Sequence, residues 1–81
     1  MLIDIIEVKY LEDYKLELKF ENGVRKIVDF KEAVFNHSGP VIKPLRDIDY
    51  FKTVRVNKEI GTIEWDSGYD CDPGVLYEKG M

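Results

Sequence analysis

Tyr14-Lys15-Leu16-Glu17-Leu18-Lys19-Phe20-Glu21-Asn22-Gly23-Val24-Arg25-Lys26-Ile27-Val28-Asp29 decides the fold. Leu16, Leu18 and Phe20 alternate strictly with Lys15, Glu17 and Lys19, the period of two that a strand shows when one face lies on a core and the other in water. Asn22-Gly23 follows. A type I′ turn needs positive φ at both central residues, so this dipeptide between two alternating runs signals a hairpin, with a return strand from Val24 to Val28. A two-residue loop pairs Glu21 with Val24 and Leu18 with Ile27, but it also sets Phe20 against Arg25 and Leu16 against Asp29. That imperfect facing leaves room for a longer loop or a bulge.

Upstream, Ile6, Val8 and Tyr10 alternate with Glu7 and Lys9, which predicts a first strand within Ile3 to Tyr10, followed by a turn over Leu11-Glu12-Asp13-Tyr14. Downstream, Asp29 offers a capping acceptor with Glu32 three residues on, predicting a short helix from Phe30 to about Phe35. Asn36-His37-Ser38-Gly39-Pro40 stops it. Pro44 is expected to hold Lys43 extended, and Asp47 to Phe51 to form one helical turn. Thr53 to Val56 and Thr62 to Trp65 read as an antiparallel pair joined by Asn57 to Gly61, with Val54, Val56, Ile63 and Trp65 buried. Asp66-Ser67-Gly68 is turn chemistry. Asp72 before Pro73 starts a terminal helix through Val75, Leu76 and Tyr77. The expected fold class is α+β: a mainly antiparallel sheet built from two hairpins, with two short helices on one face. The two halves share an order of hairpin, Asp and short helix, but few identities, and their strand phases differ.

With 81 residues, 44% of them hydrophobic, the chain is expected to form a single domain over residues 1–81 around one core. Twelve basic and sixteen acidic residues give a net charge of −4, which repels a phosphate backbone. Direct nucleic-acid binding is therefore not expected. A lone Cys71 closes no intramolecular disulfide, the N-terminal residues lack the basic start of a signal peptide, and no apolar run reaches the roughly eighteen residues of a membrane span. The expectation is a cytoplasmic protein without membrane contact.

Chemistry-bearing side chains gather between Trp65 and Asp72. Asp66, Asp70 and Asp72 superficially suggest a hard-cation loop, but their spacing is not that of an EF-hand. Turn formation by Asp66 with Gly68 and capping by Asp72 explain two of the three, leaving Asp70 without a structural task. His37 and Cys71 are the residue types of a base and a nucleophile, yet neither stands in a Gly-rich or oxyanion-forming context. No catalytic residue, metal or cofactor is assigned. Asp70 is expected to accept hydrogen bonds from Arg46, the candidate cation for a bidentate contact, or from the backbone amides of its own turn, fixing the terminal segment against the second hairpin. Trp65 closes an alternating strand and reads as core. The candidate interaction or structural residues are thus Arg46, Trp65, Asp66, Gly68, Asp70 and Asp72.

Leu45-Arg46-Asp47, Phe51, the strand Thr53 to Val56, Gly61-Thr62-Ile63, and Trp65-x-x-Gly68-x-Asp70-x-Asp72-Pro73-x-x-Leu76-Tyr77 resemble the signature of the small bacterial domain of unknown function 2442. The strand before Asn22-Gly23, the return strand and Asp29 also fit its layout. Where members commonly carry Pro after the Trp and an acidic residue after the later Pro, this chain has Asp66 and Gly74. The resemblance implies an α+β, cytoplasmic, prokaryotic protein with no established catalytic residue, and a toxin–antitoxin-like pairing with the product of a neighbouring gene. The leading expectation is a protein-interaction module, antitoxin-like or adaptor, with a protein partner or in a homo-oligomer. The alternatives are a regulatory domain acting on DNA through a separate subunit, and an enzyme whose site the motifs do not reveal.

Overall fold

Strand β2 (Lys15–Phe20) lies between β1 (Ile5–Tyr10) and β3 (Arg25–Asp29) in a three-stranded antiparallel sheet. The structure is a computed structural model and describes residues 3–69 and 71–81. The alternation in β2 becomes burial: Leu16, Leu18 and Phe20 are fully enclosed. The other face carries Lys19 paired with Glu7 at 3.4 Å and Glu17 paired with Arg25 at 3.5 Å. Exposed pairs of this kind contribute about 0–1 kcal/mol each, so the buried face holds the sheet.

The β2–β3 hairpin closes on three residues rather than two. Gly23 N–H donates to Phe20 O and Phe20 N–H to Val24 O, both at 2.9 Å, and Gly23 has φ +87°. Only the Gly therefore needs the left-handed region, as in a three-residue loop with a bulge at its end. Asn22 instead accepts the Val24 N–H on its side chain at 3.0 Å. The register moves by one: Leu16 faces Val28, Leu18 faces Lys26, and Ile27 stands opposite Glu17 on the solvent side.

A bulge between Ile5 and Glu7 corrects the phase of β1 as well. Ile5, not Ile6, points inward, with exposures of 1% and 42%. The cause lies outside the strand, because Ile5 N–H donates to Gly61 O at 2.9 Å and so turns toward the second hairpin. The β1–β2 turn has positive φ at both Asp13 (48°) and Tyr14 (65°), at a cost of roughly 1–2 kcal/mol per residue. Packing holds it there. The Tyr14 ring meets Phe35 and Phe51 edge-on at 5.2 and 5.1 Å, its hydroxyl donates to Arg46 O, and Asp13 pairs with Lys31 at 3.0 Å.

Helix α1 (Lys31–Asn36) starts where Asp29 Oδ1 accepts the Lys31 N–H at 2.9 Å, one residue later than the capping pattern suggests. A 3-10 turn, Lys43–Arg46, follows and buries Leu45. Lys43 is therefore not extended: Pro44 falls at a helix start, where its missing N–H costs nothing. Helix α2 (Ile48–Phe51) is the expected single turn, capped by Asp47 accepting from Asp49 N–H at 3.0 Å.

The second hairpin, β4 (Arg55–Asn57) and β5 (Thr62–Glu64), pairs Val56 with Ile63. It forms a separate two-stranded sheet instead of extending the first. Gly61 O links it to β1 by accepting the Ile5 N–H. Trp65-Asp66-Ser67-Gly68-Tyr69 then repeats the loop geometry of Phe20 to Val24. Gly68 N–H donates to Trp65 O at 3.0 Å, Trp65 N–H to Tyr69 O at 3.2 Å, and Gly68 has φ +95°. Helix α3 (Pro73–Lys79) is capped by Asp72 accepting the Gly74 N–H at 2.8 Å, and it buries Leu76. One core joins both sheets and the helices, with Trp65 against Phe51 at 5.4 Å and Phe30 at 6.0 Å.

Candidate functional site

Arg46, Trp65, Asp66, Gly68 and Asp72, of the residues singled out from sequence, have structural tasks. Trp65 is buried and its indole N–H donates to Phe51 O at 2.8 Å, so it is a pillar of the core rather than a ligand platform. Asp66 is 71% exposed, yet accepts from Arg55 Nη1 at 2.6 Å, while Arg55 Nη2 reaches Glu64 at 2.9 Å. The hydrogen bond to Asp66 raises the Arg55 pKa above its ordinary value. Gly68 makes the turn and Asp72 the helix cap. Among the described residues, no group of three or more His, Cys, Asp or Glu is placed to hold a metal ion.

Arg46 lies where the fold needs a cation at the end of α1. Its Nε donates to Val34 O at 3.1 Å and Nη2 to His37 O at 2.9 Å, and its guanidinium sits 5.9 Å from the centre of the Phe35 ring. Helix α1 has no basic residue in its own last turn, so Arg46 satisfies its last carbonyls from outside. The expected contact between Arg46 and Asp70 falls outside the described residues, because Asp70 is not among them.

The fold makes a different feature available: the outer edge of β3. Phe20 and Val24 are hydrogen-bonded across the hairpin, so the backbone groups of Lys26 and Val28 turn toward β2 and those of Arg25, Ile27 and Asp29 turn away from the sheet. At Ile27 the outward groups meet the other end of the chain. Ile27 N–H donates to Met81 O and Met81 N–H to Ile27 O, both at 3.1 Å. This reciprocal exchange is the hydrogen-bonded pair of an antiparallel ladder.

Two grooves run along this edge. One, of about 590 Å³, lies among Ile27, Asp29, Ala33, His37, Lys79 and Met81. The other, of about 230 Å³, continues between α1 and α3 beside Phe30, Ala33, Cys71, Val75 and Leu76. His37 and Cys71 line different grooves. Ile27, Val75 and Met81, exposed by 42%, 47% and 95%, bring apolar surface to the rim. Ile27 is the apolar member of an otherwise charged strand face, a signal that is legible only once the register is known.

No described helix is long and apolar enough to cross a membrane. A family model described as "Protein of unknown function (DUF2442)" matches residues 5–81. No curated protein and no solved structure matches the chain.

Proposed function

The chain belongs to the DUF2442 family, and we propose that it is a protein-interaction module whose recognition element is the outward edge of β3, which accepts an extended backbone segment of a partner protein. The observation that carries this reading is the reciprocal Ile27–Met81 pair, in which a non-adjacent segment already uses the edge as a strand would. Strand addition supplies affinity through main-chain hydrogen bonds and specificity through pockets for side chains. The grooves beside α1 and α3 are placed to supply those pockets. In a two-gene pair such a module is the antitoxin-like or adaptor member, working in the cytoplasm. The net charge of −4 favours a protein partner over nucleic acid.

The test is Ile27→Pro. The Ile27 N–H points away from β2, and Pro is tolerated on an edge strand, so the substitution removes one outward donor while leaving the β2–β3 ladder in place. Wild type and variant are purified in parallel from the native host. A protein should co-purify at fixed stoichiometry with wild type, be lost with Ile27→Pro, and protect the amides of Arg25, Ile27 and Asp29 when bound. Equal recovery with both chains would refute the reading.

A further inference from the structure

We infer that the outward edge of β3 also pairs with the same edge of a second copy of this chain, antiparallel, about a two-fold axis through Ile27. The inference rests on the reading of β3 as the recognition edge and adds the identity of one occupant. Its basis is self-complementarity. With Ile27 opposite its symmetry mate, Arg25 stands opposite Asp29 of the second copy, and Asp29 opposite its Arg25, so each end of the ladder joins opposite charges on the solvent face. The two Ile27 side chains share that face at the centre, their Cα atoms about 5.5 Å apart in a hydrogen-bonded pair. Ile27 is 42% exposed in the single chain, so there is apolar surface for the contact to cover. A two-fold interface requires one patch to match itself, and Arg25-Lys26-Ile27-Val28-Asp29 does so in charge and in apolar centre.

Met81 is what this pairing displaces. It holds Ile27 through two backbone bonds while the residue itself remains 95% exposed. Each copy gives up its two bonds to Met81, four in the pair, and a β3–β3 ladder replaces them with about six between the chains, from the outward groups of Arg25, Ile27 and Asp29. Met81 is therefore a competitor for the edge, and weakening its hold favours the dimer.

The experiment is sedimentation equilibrium of the full chain, with circular dichroism to confirm that each variant is folded. Wild type should show a dimer. Ile27→Lys and Ile27→Glu, each at an exposed side chain, should weaken it by about tenfold or more, since like charges then meet on the axis. An equimolar mixture of these two variants should associate again, because the axis then holds opposite charges. Met81→Pro, which removes the donor to Ile27 O, should tighten the wild-type dimer. A wild-type monomer at millimolar concentration, a dimer indifferent to Ile27→Lys, or a mixture that stays monomeric would each overturn the inference. Retention of a host partner lost in Ile27→Pro, by a chain that is monomeric alone, would leave the proposed function standing and remove only the self-pairing. A dimer with these properties and no partner dependent on Ile27 would do the reverse.

Discussion

Replacing Arg46 should destabilise the fold through α1. The guanidinium donates to Val34 O and His37 O at 3.1 and 2.9 Å, both at the end of a six-residue helix. Hydrogen bonds from a charged donor contribute about 1.5–3 kcal/mol each when well enclosed. Arg46 is half-exposed, so about 1 kcal/mol for each is appropriate, or about 2 kcal/mol for both. Arg46→Met keeps the aliphatic stem beside Phe35 and removes both donors. For a domain of this size, about 2 kcal/mol corresponds to a fall in Tm of roughly 8–16 °C. Arg46→Lys keeps the charge without the planar fork and should recover about half of the loss. Urea unfolding of the three proteins at one pH measures the differences, with a common m-value as the check on two-state behaviour. Full stability in Arg46→Lys, or a loss under about 0.3 kcal/mol in Arg46→Met, would refute the role given to the fork.

Other consequences follow from the core and the turns. Trp65→Phe should cost about 2–3 kcal/mol in urea unfolding, because it leaves Phe51 O buried without its donor and removes packed volume. Gly23→Ala and Gly68→Ala should each cost about 1–2 kcal/mol from backbone strain alone, since an added Cβ meets nothing within 4 Å at Gly23 and only Val41 at 3.9 Å at Gly68; the two losses should add in the double variant. Burial raises the Tyr14 pKa from 10.0, assisted by the neighbouring Tyr10 and Asp47. The stability tied to its neutral form is then complete below about pH 10 and is lost as pH rises through the higher folded-state value. Between pH 9 and 11, urea unfolding should therefore show wild type losing more stability than Tyr14→Phe, and parallel curves would count against this.

The parts of the fold that were legible in sequence are those set by neighbours along the chain. Leu16, Leu18 and Phe20 declare β2 by their spacing, and Asp47 and Asp72 declare helix starts because a short acceptor side chain reaches an N–H two residues on. Asn22-Gly23 announces a hairpin, but the dipeptide fits loops of two or three residues, and the choice shifts every facing pair by one. Ile6 is misread for a different reason. The bulge that turns it outward answers to Gly61, which lies far away in sequence. Asp66-Ser67-Gly68 reads correctly as a turn, while its ion pair with Arg55 depends on where β4 falls.

The candidate site was less legible because its partners are backbone groups. Arg46 stands out as a cation, but the Val34 and His37 carbonyls that accept from it leave no mark in a sequence. The edge of β3 is hidden for the same reason. Nothing in the residue types of Ile27 or Met81 indicates that their main chains exchange hydrogen bonds. Tyr14 was also missed, since only the folded core explains how a bulky residue is held at positive φ.

If β3 recognises a partner through its outward backbone, the amides along that edge report the contact. Amide hydrogen exchange of Arg25, Ile27 and Asp29, measured residue by residue in the free chain and in complex with its co-purified partner, reads this out. These three amides should slow on binding while Lys26 and Val28, already turned toward β2, change little. Protection that appears elsewhere on the surface, with the three outward amides exchanging as they do in the free chain, would contradict it.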